Sequence, residues 1–231
     1  MLEKKRRIYL QVGIFLFNLI LLFPTSARSQ TASQELDLDP ATIESSPTLQ
    51  RWLEEIPDVL EDIRNDRSFK TRLRVGYSQF PSTKNAAGLN FGVEDIFIGG
   101  TGLTISGDYY FSFNGDRSAG GARLNYFVLP LGYYVNFGPV IGYRYIQSED
   151  YSTDGINIGA RLMLVLSRTG AADISLTQTF ISPGSNEEVG VTSISVGYGV
   201  TSNLRLSADI EKQNSSAEKD SRVGIGLELM F

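Results

Sequence analysis

Residues 103–113 read LTISGDYYFSF, and apolar side chains recur at alternate positions along most of this stretch. A period of two places the apolar side chains on one face of a β-strand and the polar ones on the other. The stretch is also close in length to the roughly 9–11 residues that a tilted strand needs to cross a bilayer. It therefore predicts a membrane-crossing strand with one polar face.

The same alternation recurs between residues 69 and 231, and it predicts an antiparallel transmembrane β-barrel, an all-β fold of about ten strands. The predicted strands lie at about 70–80, 89–98, 103–113, 121–136, 140–148, 155–166, 173–181, 188–200, 203–213 and 221–231. In the fourth strand the alternation changes phase at Pro130. A β-bulge there keeps ten strands, whereas a tight turn changes the count to eight or twelve. Asp95 is also out of phase and marks a second irregularity.

The predicted connections alternate in length, which is the outer-membrane arrangement of long outer loops and short periplasmic turns. Longer polar loops are expected at 81–88, 114–120, 148–154, 182–187 and 214–220. Shorter turns are expected at 99–102, 137–139, 167–172 and 201–203. Both ends of the barrel would then lie on the periplasmic side.

Three features indicate that the polar face is the inside of the barrel, and they favour a membrane barrel over the alternative, a soluble secreted barrel with an apolar interior. The polar face carries seven arginines but hardly any lysine, with only Lys70 and Lys212 near strand ends. Glycine recurs on the same face, which suits a crowded concave interior. Aromatic side chains on the apolar face, Phe80 among them, gather near strand ends, as in the interfacial girdles of membrane barrels.

Charged side chains on the inner face are the candidate functional residues. Unpaired ions in a narrow lumen are unfavourable by several kcal/mol each, so we expect them to pair and fill the interior. The predicted network contains Arg72, Arg74, Glu94, Asp108, Arg123, Arg144, Arg161, Arg205, Asp209, Glu211, Arg222 and Glu228. Arg72 and Arg74 are the expected partners of Glu228 across the closing seam. Seven arginines against five acids leave a positive excess of two, which Asp95 or the acidic extension could offset.

The segment before the barrel divides into a predicted acidic linker over 30–45 and an amphipathic helix over 46–66 that Pro57 kinks. Ser46 is suited to cap the helix. One apolar stripe runs along it, formed by Leu49, Trp52, Leu53, Ile56, Leu60 and Ile63. This stripe predicts docking on the barrel or on a periplasmic protein partner, because the acidic opposite face does not suit a membrane surface.

Residues 1–29 have the pattern of a secretory signal peptide. A basic start is followed by an apolar run over 8–23, and Ala27 and Ser29 suit the cleavage site, expected after Ser29 or, alternatively, after Ala27. An uncleaved membrane anchor is the competing interpretation.

The segment VGIGLELMF resembles the C-terminal signal that the barrel-assembly machinery recognises in bacterial outer-membrane β-barrel proteins. The residues that carry the resemblance are Val223, Ile225, Leu227, Leu229 and Phe231. The chain is similar to small barrels of the OmpA and OmpX size class, and residues 49–80 are similar to cyanobacterial outer-membrane barrels. The resemblance implies a location in the bacterial outer membrane, with the assembly machinery and outer-membrane lipid as partners.

Composition limits the chemistry that the chain can perform. It contains no histidine and no cysteine, and outer-membrane barrel enzymes of the resembling class use a histidine. We therefore expect no enzyme, no cofactor and no metal site. The formal net charge of −5, without a basic stripe, argues against nucleic acid as a partner. A structural or interaction role in the envelope is expected, and a narrow porin-like channel for small anions or solutes is the alternative.

Overall fold

The computed structural model describes residues 45–48, 66–149, 151–167, 169–216 and 219–231. The chain divides into two compact units, Met1–Pro57 and Asp58–Phe231, and the second unit contains the barrel. The signal peptide and nearly all of the linker and the amphipathic helix lie outside the described residues, so these assignments stay predictions. No helix among the described residues has the length and hydropathy needed to span a membrane.

Ten antiparallel strands form one closed sheet, as the alternation predicted. The strands are β1 (Arg72–Phe80), β2 (Ala86–Phe97), β3 (Leu103–Ser112), β4 (Ser118–Tyr126), β5 (Val135–Gln147), β6 (Ser152–Val165), β7 (Ala172–Ile181), β8 (Val189–Gly199), β9 (Leu204–Ser215) and β10 (Lys219–Met230). Each strand pairs with its neighbours in sequence, and β1 closes the barrel against β10. We call the end where β1 begins the proximal end, and the opposite end the distal end.

The phase change at Pro130 marks a turn, so the predicted strand over 121–136 is wrong in its second half. β4 ends at Tyr126, and Tyr133 N–H donates to the Pro130 carbonyl (3.1 Å) within the connection over 127–134. The turn predicted at 137–139 does not exist, because Gly138 and Pro139 pair with β6 inside β5. The two errors compensate, and the count stays at ten.

The predicted alternation of long loops and short turns is also not observed. Connections at the distal end span 81–85, 113–117, 148–151, 182–188 and 216–218. Connections at the proximal end span 98–102, 127–134, 166–171 and 200–203, and they are of similar length. The distal loops are short because the strands continue into them, so loop length does not orient this barrel.

Side-chain polarity is inverted relative to a soluble protein, which confirms the predicted membrane barrel. On β10 the outward side chains of Val223, Ile225, Leu227 and Leu229 are 40–60% exposed, whereas the inward Arg222 is 6% exposed. The same division holds on the other strands. An apolar outer surface around a polar interior is the arrangement of outer-membrane barrels.

A β-bulge in β2 brings two consecutive acidic side chains into the lumen. The register with β3 shifts between Val93 and Ile96, and Asp95 has a left-handed backbone with φ of 57°. Glu94 and Asp95 are therefore both buried, although strict alternation would place one of them outside. The bulge explains why Asp95 was out of phase in the sequence.

The charged lumen as the candidate functional site

The lumen holds a charge-balanced network of seven arginines and seven carboxylates within ion-pair distance. All twelve predicted residues belong to it. Asp95 and Asp173 complete it, and Asp173 was not predicted. The expected positive excess of two is offset by Asp95, as the sequence analysis allowed, and by Asp173, which it did not predict.

Arg72 is the centre of the proximal half of the network. Its guanidinium lies 3.1 Å from Glu94, 2.7 Å from Asp95 and 2.8 Å from Asp173, and its side chain is 3% exposed. Arg161, from the opposite wall, binds the same pair of carboxylates at 2.9 Å (Asp95) and 3.5 Å (Glu94). The bulge on β2 thus supplies the acids that join two arginines across the lumen.

The closing seam is paired only in part as the sequence analysis expected, because Arg74 reaches Glu228 at the limit of ion-pair distance and Arg72 does not pair with it. Arg74 lies opposite Glu228 in the β1–β10 register, yet their charged atoms are 4.0 Å apart. Glu228 is closer to Arg205 of β9, at 3.2 Å, and Arg74 instead binds Glu94 at 2.7 Å. No ion pair between Arg72 and Glu228 occurs among the described residues.

The distal half of the network is organised around Asp108 and Glu211. Asp108 accepts from Arg123 and Arg144, each at 2.8 Å. Arg144 also reaches Glu211 at 3.2 Å, and Arg222 lies 3.8 Å from the same carboxylate. Arginine suits these positions because its planar group can bind two acids at once.

Glycines on the neighbouring strands make room for the arginine side chains. A Cβ added to Gly224 would lie 2.5 Å from Asp209 Oδ1 and 2.8 Å from Arg222 Nη1, and one added to Gly197 would overlap the Arg205 guanidinium. These two inward glycines are therefore a steric requirement of the ion pairs, in agreement with the crowded interior that the sequence pattern suggested.

An apolar cluster closes the distal end of the lumen. Its buried members are Phe80, Tyr110, Ala119, Ile146, Ile181, Val189 and Val191. Phe80 was assigned to the lipid-facing girdle, but it is fully buried and faces inward. Arg117 and Asp220 form an ion pair here at 2.8 Å, with both side chains fully buried. The sequence placed both residues in loops and gave no signal for the pair.

A second apolar cluster closes the proximal end. It is formed by Phe69, Phe127, Leu131, Met163 and Val165. The chain before β1 folds into the mouth, where Phe69 packs against Phe97 and Phe127 with ring centroids 5.3 and 5.0 Å apart. Ser68 fixes this segment, because its backbone N–H and its hydroxyl both donate to the Leu131 carbonyl (3.0 and 2.8 Å).

Between the two seals, described residues line a cavity of about 60 Å³. Arginines and carboxylates line one side, and hydroxyl and amide side chains such as Asn157, Thr177 and Ser193 line the other. Because a polar cavity of roughly 10–15 Å³ already holds one water molecule, this volume is large enough for several. No cluster of metal-binding side chains occurs in the part of the chain that the structure describes.

The predicted assembly signal lies on β10 and just after it. Its members face outward, and the Phe231 backbone N–H donates to the Thr71 carbonyl at 3.0 Å. Recognition by an assembly machinery stays a prediction. The apolar stripe of the amphipathic helix lies outside the described residues.

No family model and no curated protein matches the sequence. Among solved structures, the KdgM porin is 8% identical with a TM-score of 0.40, and the match covers 69% of this chain and 99% of the porin. The outer membrane protein Ail of Yersinia pestis is 14% identical with a TM-score of 0.33, covering 71% and 99%. Neisserial surface protein A is 13% identical with a TM-score of 0.24, covering 71% and 97%. By its own topology and inverted polarity, the chain is a β-barrel protein of the outer-membrane type.

Proposed function

We propose that the protein is a non-enzymatic structural or interaction barrel of the bacterial outer membrane, with a lumen that stays closed. One observation carries this proposal: the ion-pair network is charge-balanced and lies between two apolar seals. The barrel would present its distal and proximal connections to partners while the membrane stays sealed.

Permeation through this lumen would require several buried ion pairs to separate. Removing one partner from a buried pair is unfavourable by about 3–5 kcal/mol, so a solute that displaces several side chains meets a high barrier. Ten strands also lie close to the eight-strand limit at which side chains just fill the interior. The cavity of about 60 Å³ is enclosed by these groups.

A narrow channel for small anions is the second candidate function, and the cavity favours it. Arg144 and Arg161 line this cavity, so a hydrated path could form there if both seals opened. In a conducting barrel, neutralising either arginine would lower the current. A closed barrel carries no current, so the same change would have no effect on conductance.

We expect purified, refolded protein to give no reproducible single-channel current in planar lipid bilayers. The Arg144→Gln and Arg161→Gln variants, once shown to refold, should be equally silent, since neither seal depends on them alone. A known porin reconstituted in parallel verifies that the bilayers report conductance. Steady anion-selective current that falls in either variant would replace the closed-barrel proposal with the channel.

Partner binding is a separate part of the proposal. The apolar stripe predicted over residues 49–63 would provide a periplasmic docking face, and the distal connections would lie outside the cell. This orientation follows from the resemblance to outer-membrane proteins, whose chain ends face the periplasm.

A further inference from the structure

A row of polar side chains crosses the lipid-facing surface near the distal end. Gln178 on β7 pairs in register with Thr192 on β8, which pairs with Lys212 on β9, which pairs with Ser221 on β10. Thr192 Oγ1 donates to Gln178 Oε1 at 2.5 Å. Four adjacent strands thus carry polar groups at one level of an otherwise apolar outer surface.

The opposite side of the barrel has aromatic residues near the same end. Phe111 packs between Tyr109 and Phe113 on β3, with ring centroids 5.9 and 6.2 Å apart. Tyr143 and Tyr145 continue the aromatic surface on β5. Beyond the row, the outward positions of β8, β9 and β10 hold Gly190, Asn214 and Lys219, so the apolar surface ends at the row on these three strands, whereas Phe180 continues it on β7.

Lys212 is the charged member of the row. The sequence analysis placed it on the polar face, but it faces outward between the inward Glu211 and Gln213, and its outward neighbours offer it no counter-charge. Ile210 and Asn214 flank it along β9, and Thr192 and Ser221 flank it on the adjoining strands. Within the described ranges, no carboxylate lies within 4.0 Å of its ammonium group.

Among the described residues, the carboxylates nearest to Lys212 along β9 and β10 point into the lumen, and those of the connection between β7 and β8 form no ion pair with it. Glu211 and Asp220 point into the lumen and are 5% and 3% exposed. In the connection between β7 and β8, Glu188 accepts a hydrogen bond from the Gly184 backbone N–H at 2.7 Å. The exposed side chain of Glu187 lies in the same connection.

An ammonium group at the border of the apolar band meets lipid headgroups. Lysine extends its charged end toward the polar interface while its methylene stem stays in contact with apolar surface. A phosphate diester supplies the missing negative charge, the Gln178 amide and the Ser221 hydroxyl can donate to its free oxygens, and Thr192 holds the Gln178 amide in place through its own hydrogen bond.

We propose that the row formed by Gln178, Thr192, Lys212 and Ser221 is a binding site for the anionic phosphate headgroup of a membrane lipid. Lys212 provides the charge, and the neutral members orient the phosphate. The site faces the leaflet at the distal end, whichever side of the membrane that end occupies.

The test is lipid retention by the refolded full barrel in a non-ionic detergent, measured by native mass spectrometry during titration with phosphatidylglycerol. We expect the wild-type barrel to retain one molecule, and Lys212→Gln to weaken retention about fivefold, the effect of one lysine near an anionic surface. Thr192→Val should weaken it less, and Lys212→Arg should preserve it. Because Lys212 is exposed, these variants should fold, which heat-modifiable mobility on gels verifies.

Lys84→Gln is the matched control, since it removes the same charge from the distal connection 81–85, where Lys84 is 78% exposed and pairs with Glu149 at 3.4 Å. It should retain lipid like the wild type. Equal retention by wild type and Lys212→Gln would overturn the proposal. Retention of phosphatidylcholine at the same level would also overturn it, because the site would then not select an anionic headgroup. Equally tight binding of glycerol 1-phosphate would identify a soluble anion as the ligand instead.

Discussion

The Arg72→Met variant is expected to lose about 3–5 kcal/mol of unfolding free energy, or to fail to refold. Arg72 neutralises Glu94, Asp95 and Asp173 at 3.1, 2.7 and 2.8 Å from a site that is 3% exposed. Methionine preserves most of the volume but leaves these carboxylates with fewer positive partners. Urea unfolding of the refolded barrel, followed by far-UV circular dichroism, measures the effect.

Two further variants separate lost charge from lost packing. Adding Asp173→Asn to Arg72→Met should restore part of the stability, since it removes one of the stranded charges. Lys84→Met changes an exposed pair and should leave the free energy of unfolding within about 0.5 kcal/mol of wild type. A loss below about 1 kcal/mol for Arg72→Met would show that the network is not tightly coupled.

The inverted polarity was predictable because it is a local property of the sequence, whereas the strand count of ten was correct only because two errors around Pro130 compensated. An alternating pattern fixes which side chains share a face, and arginine without lysine on that face indicates a confined, paired interior. Asp173 was predictable on the same basis, since it shares a phase with the inward Ser175, Thr177 and Thr179. The alternation of β7 therefore contained the signal for one of the two carboxylates that neutralise the lumen.

Asp95 could be located in the lumen only from the three-dimensional structure. A single extra residue reverses the direction of every later side chain in a strand, and only pairing with the neighbour shows where it is inserted. The left-handed conformation of Asp95 absorbs that residue in β2. Inside the lumen, the Asp95 carboxylate binds Arg72 and Arg161. The local sequence pattern does not reveal these long-range contacts.

The turn at Pro130 is also fixed by tertiary contacts. A phase change at a proline fits a bulge and a turn equally well. Here Phe127 and Leu131 turn into the mouth of the barrel and pack in the same cluster as Phe69. Tertiary contacts also make β9 and β10 extend further toward the distal end than predicted, because Gln213 and Asp220 both contact the buried Arg117.

Gly197→Ala is expected to destabilise the barrel by an amount comparable to loss of a buried ion-pair partner, about 3–5 kcal/mol. The added methyl group would occupy the position of the Arg205 guanidinium, which is 2.6 Å from Asp173 and 3.2 Å from Glu228. A flexible arginine could normally move away, but Arg205 is 1% exposed and held on both sides. The side chain must therefore abandon at least one carboxylate, and urea unfolding should report the loss.

A double-mutant cycle with Arg205→Ala tests this mechanism. In that background the space beside Gly197 is empty, so Gly197→Ala should lower the unfolding free energy by less than about 1 kcal/mol. Gly107→Ala is the matched control, because its new methyl group would face lipid with its nearest contact, the Gly121 carbonyl oxygen, at an ordinary 3.4 Å. Equal losses of unfolding free energy in Gly107→Ala and Gly197→Ala would mean that the strands need glycine for its backbone conformation and not for the space that it leaves to Arg205. A large loss confined to Gly197, and absent without Arg205, would show that the paired arginines determine where this barrel requires glycine.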